Sequence, residues 1–295
     1  MDFIKHRKIY YIFSGLLVAI SIVSFFTWKL NLGIEFTGGS LLEVEFKNQS
    51  PSINEIKDSL KELDLGDINI QPSGENRAII RLKEIDDDTH KNIIGKLNNL
   101  NGGAEEKRFE LIGSVIGSEL KNKSFWAVGI VLVLIVIYIA FAFRKISFRL
   151  ASWKYGVAAM IALLHDVLIT VGAFSILGHF LNIEVGVPFI AAILTILGYS
   201  VNDTIVVFDR TRENLLKYYE GDLENTLNKS LNQTLSRSIN TSLTTLLVLV
   251  AIFLVGGESI KYFALTLIIG ISIGTYSSIF IASPILFTWE RGKRA

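Results

Sequence analysis

Residues 185–214 read VGVPFIAAILTILGYSVNDTIVVFDRTREN. The stretch begins as an apolar run long enough to cross a bilayer. It then carries Asn202 and Asp203 inside that run, before the run ends at Asp209 and Arg210. At ~1.5 Å per residue, Asp203 lies about 9 Å inside the Asp209 end of a helix. A carboxylate within a span costs up to roughly 2.5–3.5 kcal/mol on insertion scales. Thr195, Tyr199, Asn202 and Asp203, followed by Asp209 or Arg210, recur at spacings that form one helical face. A polar face on a membrane helix turns toward other helices or water rather than lipid. Two readings stay open: an ion or proton relay, or polar contacts that join helices.

Working outward, half of the 295 residues are hydrophobic, and the charged ones are gathered into separate segments. That pattern describes a polytopic membrane protein with one soluble insert. A net charge of +1 argues against a nucleic acid partner. With no cysteine there are no disulfides, thiolates or Cys-based metal sites. His6, His90, His165 and His179 form no pair at metal-ligand spacing, so no metal or cofactor is expected.

Six spans are expected. Ile9–Thr27 is the first, an uncleaved helix bracketed by Tyr10, Tyr11 and Trp28. Phe125–Phe143 is the second. The third lies within Tyr155–Asn182, a run longer than a span needs; its first part is expected at the interface or re-entrant, which leaves the depth of His165 and Asp166 open. The opening stretch is the fourth. Leu223, Leu227, Leu231 and Leu235 then mark an amphipathic helix. The fifth span, Ser238–Val255, has an unusually polar entry around Arg237. The sixth is Tyr262–Trp289, where Gly270 and Gly274 allow close helix contact.

Residues 29–123 read as a small domain in the order β-α-β-β-α-β, a ferredoxin-like α+β pattern. The strands are expected at 40–46, 67–71, 78–82 and 107–112. The helices are expected at 52–63, with Ser52 as N-cap, and at 88–100. Fifteen Lys and Arg flank one side of the spans, against Lys261 alone in the short loops of the other. The positive-inside rule puts both termini in the cytoplasm. The organisation is then a cytoplasmic N-terminus and first span (1–28), an external domain (29–123), and a bundle (124–295) with cytoplasmic loops at 144–154 and 209–237.

Several stretches carry a resemblance to a known family: NLGIEFTGGS (31–40), His165-Asp166-Val167, GYSVNDTIVVFDRTR (198–212), residues 231–245, and GTYSSIFIASP (274–284). They resemble the SecF family of bacterial protein-export membrane subunits, which is related to RND-type transporters. Glu35 stands where the family more often has Asp. The resemblance implies half of an RND-type bundle paired with SecD. It implies an accessory subunit of the Sec translocase in the cytoplasmic membrane, one that uses the proton or sodium gradient in late steps of export and is not an enzyme. SecYEG, SecA, YajC and the exported preprotein are its implied partners.

By the same resemblance, Asp203 and Arg237 belong to the ion path. From the residues themselves, Asn202, Tyr199, Ser200, His165 and Asp166 are possible support, with plain helix–helix hydrogen bonding the alternative for the first three. Arg237 as a snorkelling residue, and His165-Asp166 as a cap or interfacial pair, are the plainer structural readings. Two rival functions are an RND-type exporter of small molecules, which normally needs twelve spans in one chain, and a scaffold subunit without ion coupling.

Overall fold

The computed structural model describes residues 1–66, 68–143, 152–217 and 222–291. The basic residues Arg144, Lys145, Arg149, Lys293 and Arg294, which carried part of the orientation argument, lie outside the described residues, as does the expected strand start at Asp67. The chain forms two compact units, one of residues 32–125 and one of residues 1–31 with 126 onward.

The larger unit begins with helix α1 (Arg7–Trp28), the first span. The smaller unit contains a short helix α2 (Ile34–Thr37), strand β1 (Gly39–Phe46), helix α3 (Ile53–Leu60), strands β2 (Asn69–Ser73) and β3 (Arg77–Leu82), helix α4 (Asp87–Asn98) and strand β4 (Ala104–Ile112). The sheet order is β2-β3-β1-β4 with every neighbouring pair antiparallel, the ferredoxin-like arrangement expected from the element order. Alternation along β1 explains it. Leu42, Val44 and Phe46 are buried with Ile56 and Leu60 of α3 and Ile93 and Leu97 of α4, while Glu45 lies toward Arg77 and Lys107. Ser52 and Glu55 form a complete capping box at the start of α3. The turn into β1 requires glycine: Gly38 and Gly39 both have positive φ, at 75° and 125°.

Among the described residues, six helices are long and apolar enough to cross a membrane. After α1 they are α5 (Ser114–Ala142), α6 (Ser152–Leu181), α7 (Val187–Lys217), α8 (Leu223–Val255), and a last span made of α9 (Glu258–Ser277), a π turn (Ser278–Ala282) and α10 (Ser283–Arg291). Two expectations are corrected. The third span is one unbroken 30-residue helix with no re-entrant part. Its length reflects a run without proline, so the backbone has no reason to break. The amphipathic stretch and the fifth span are likewise one 33-residue helix, α8. Its leucine stripe is buried: Leu227 and Leu231 pack with Phe3, Ile4, Val207 and Phe287. Residues 209–217 extend α7 and residues 223–237 open α8, so most of that expected loop is helical.

The bundle core is built on close helix contacts. A Cβ at Gly270 would meet Ile196, and one at Gly274 would meet Ser200, so α9 lies directly against α7. Tyr155 of α6 stacks on Phe143 at 5.1 Å and meets Phe208 of α7 edge-on at 5.1 Å. A buried ion pair, Lys154 with Glu290, joins the start of α6 to the end of α10.

Candidate functional site: two buried carboxylates

Asp203 is 6% exposed. Its two carboxylate oxygens each accept a hydroxyl hydrogen, Oδ1 from Ser238 of α8 and Oδ2 from Ser278 at the start of the π turn. Three elements therefore meet on one carboxylate. Among the described residues, no cation lies within ion-pair distance of it. Hydrogen bonds to an ionised acceptor are about twice as strong as neutral ones, which suits hydroxyls to a buried carboxylate.

The expected supports are distributed differently. Ser200 does not bond Asp203. Three residues earlier on α7, it stands about 4.5 Å nearer the opposite helix end, and its hydroxyl donates to Asp166 Oδ2 at 2.6 Å. Tyr199 is half-buried, with its hydroxyl 3.4 Å from that of Thr245 on α8. Asn202 is exposed. Arg237 is also exposed, one residue before Ser238, and among the described residues it pairs with no carboxylate. A step of one residue turns ~100° around a helix, so Ser238 faces inward and Arg237 faces out.

Asp166 forms a second node. It is fully buried near the middle of α6 rather than at a helix end, so it does not cap the helix. His165 Nδ1 lies 2.9 Å from its Oδ1. Ser277, at the end of α9, donates to its Oδ2 at 2.8 Å, beside the bond from Ser200. His165 Nε2 is buried without a partner. Ser238 was visible only as part of the polar entry to the fifth span, and the pattern of polar side chains did not single out Ser277 and Ser278. The two last were visible only as the SS pair of GTYSSIFIASP. Among the described residues, no three His, Cys, Asp or Glu side chains gather as a metal site.

On the outer side of the same helices, Asn202 of α7 and Arg237, Asn240, Thr241 and Thr244 of α8 form an exposed polar face. Such a face is costly against hydrocarbon and inexpensive against another polar helix or water.

Two family models match the chain. One describes the protein export membrane protein SecD/SecF, C-terminal, over residues 92–292, and the other the SecD/SecF GG motif over residues 23–50, which includes Gly38-Gly39. Protein translocase subunit SecF of Sebaldella termitidis is 40% identical, covering all of this chain and 93% of its own length. That of Vibrio alginolyticus is 40% identical, covering 97% of this chain and 88% of its own. Among solved structures, the crystal structure of SecDF, a translocon-associated membrane protein from Thermus thermophilus, aligns with a TM-score of 0.87 at 33% identity over 99% of this chain. SecDF in its super-membrane-facing form aligns with a TM-score of 0.72 at 32% identity. In both cases the chain spans 39% of the SecDF chain's length. The relatives are named as translocase subunits, a transport role rather than catalysis, and the six apolar helices make the protein a multi-pass membrane protein. The matches run along essentially the whole sequence, and the chain belongs to the SecF family of protein-export membrane proteins.

Proposed function

We propose that the protein is an accessory subunit of the Sec translocase that pairs with a SecD partner and uses the proton or sodium gradient to promote late steps of export. Asp203 is the ion-exchanging carboxylate of this reading. Arg237 is its switchable partner, with both termini cytoplasmic and residues 29–123 outside. The observation that carries it is the siting of Asp203, buried and held by hydroxyls from α8 and the π turn, directly beneath an exposed polar face that includes Arg237. A partner bundle laid on that face gives its polar groups partners and closes Asp203 off from lipid. The chain's share of the SecDF length fits a half-bundle that a second half completes.

The chemistry follows from the donor set. Burial disfavours any buried charge, and a nearby guanidinium favours a carboxylate. A rearrangement that brings Arg237 to Asp203 and then withdraws it makes the carboxylate release and then take up a cation. A membrane potential supplies about 2.3 kcal/mol per charge per 100 mV to that cycle. Serine hydroxyls serve a proton or a sodium ion equally well. SecYEG, SecA and YajC remain the implied neighbours, and the bundle's motion is passed to an emerging preprotein through residues 29–123.

The test is Asp203→Asn in a chain co-expressed with its SecD partner. The complex is expected to assemble while export no longer accelerates when a gradient is imposed. Assembly with a normal gradient response places the ion path elsewhere and favours the scaffold reading, in which Asp203 only joins helices.

A further inference from the structure

Ser277 and Ser278 are consecutive, yet their hydroxyls donate to carboxylates on two different helices, Asp166 on α6 and Asp203 on α7. They sit where α9 changes into the π turn. Single π turns inside helices occur often at functional sites. Each carboxylate is held from a second side by one more serine, Ser200 for Asp166 and Ser238 for Asp203. The geometry points to Asp166 as a second ion-exchange carboxylate, coupled to Asp203 through the Ser277-Ser278 pair at the π turn. The inference rests on the reading of Asp203 as an ion site.

The coupling has a simple origin. An ionised carboxylate only accepts hydrogen bonds, so it holds both of its serines as donors. At Asp166 the proton from His165 arrives on Oδ1, and Oδ2 becomes a neutral carbonyl oxygen that holds Ser200 and Ser277 more weakly. At Asp203, where each oxygen has one serine, a proton on either oxygen displaces that serine as donor. Ser277 and Ser278 share a peptide bond, so a rotation that frees one moves the other. A change at Asp166 therefore reaches Asp203 as a change in the register of the last span.

Asp166 also has its own proton-transfer partner, beside a mostly apolar groove. His165 contributes Nδ1 to Asp166, while its unpartnered Nε2 belongs to a ring lining a groove of about 660 Å³. The groove is bounded by α1, α6 and α10, through residues such as Tyr11, Ser14, Leu168 and Thr288, and not by the α7–α8 face that carries Arg237. In the relay, Nε2 takes up a proton and the Nδ1 proton passes to the Asp166 carboxylate, leaving a neutral imidazole and a neutral acid. Around this node the titratable groups are His165 on α6 and Tyr276 on α9, whose ring lies 6.3 Å from the imidazole and whose hydroxyl accepts from Ser14 of α1; α7 brings only Ser200. Nearest to Asp203 in sequence are Asp209 and Arg210 further along α7, while on α8 the outward-facing Arg237 adjoins its partner Ser238.

Difference infrared spectroscopy of the full chain with its SecD partner in liposomes, recorded across pH steps, reads the two carboxyl groups directly. Asp166→Asn and Asp203→Asn are each expected to remove one titrating carboxyl band and to displace the midpoint of the surviving band by about one pH unit, a tenfold change in its binding constant. In the Ser277→Ala/Ser278→Ala variant both bands are expected to persist, with midpoints that no longer respond to loss of the other carboxylate. An Asp166→Asn spectrum that keeps every titrating band, or an Asp203 band that stays at its wild-type midpoint, overturns the proposal. Coupling that survives in the double-alanine variant overturns the role of the π turn. Failure of the underlying reading looks different: Asp203→Asn then removes no band and leaves gradient-driven export unchanged.

Discussion

Gly274 and Ser200 face each other across the α7–α9 contact so closely that a Cβ on the glycine would stand 2.9 Å from the serine Cβ and 3.5 Å from Asp166 Oδ2. The absence of a side chain at 274 is what lets Ser200 reach Asp166. Gly274→Ala is expected to separate the helices and cost about 1–3 kcal/mol, as overpacking does. Thermal unfolding of the detergent-solubilised protein measures this. The stability of a Ser200→Ala/Gly274→Ala pair, compared with the two single variants, reports whether the Ser200 bond is the part lost.

Lys154 and Glu290 are a nearly dry ion pair, with side chains 5% and 15% exposed. Glu290→Gln leaves a buried ammonium without its partner and is expected to destabilise the bundle by about 3–5 kcal/mol. Replacing both, as Lys154→Met with Glu290→Leu, is expected to recover most of that loss. If the single and double variants melt together, the pair contributes little.

The GG turn is expected to be intolerant of any side chain. A Cβ at Gly38 would sit 2.6 Å from Ser114 Cα, and one at Gly39 would sit 2.6 Å from the Leu82 carbonyl oxygen. Both residues also have the positive φ that L side chains rarely adopt. Gly39→Ala is expected to cost at least roughly 1–3 kcal/mol. Hydrogen exchange should locate the loss of protection along β1 and its neighbours β3 and β4. Wild-type protection in that variant would mean the turn can relax.

The cap of α3 should be sensitive to acid. The Ser52 backbone N–H donates to the Glu55 carboxylate, with the Ser52 hydroxyl adding a second bond, and together they hold the glutamate below its ordinary value of about 4.5. A carboxyl lowered in the folded state stabilises above its unfolded value, and that contribution is lost as pH falls through the folded one. Protection factors in α3, corrected for the intrinsic pH dependence of amide exchange, are therefore expected to fall below about pH 4.5 in the wild type. In Glu55→Gln they should be lower at neutral pH and flatter across the acid range.

Much of this organisation is local in origin and can be read along the chain. Six apolar runs give six spans, because the length of a run and its charged ends are properties of consecutive residues. The alternation of Leu42, Val44 and Phe46, the 52–63 stripe and the Ser52 cap place the small α+β unit for the same reason. Asp203 stands out because a carboxylate is conspicuous within an apolar run. The tertiary structure alone decided which groups meet it. Ser238 and Ser278 lie 35 and 75 residues away in sequence, and Ser277 lies 111 residues from Asp166. A serine's identity carries no record of its partner, since a hydroxyl bonds its own helix as readily as a distant carboxylate. Asp166 was visible as a residue, but its place was open for a related reason. Its depth depends on where α6 starts and stays unbroken, and its importance on the close approach of α9 through Gly274. Periodicity assigns a residue to a face, but only packing determines what that face meets.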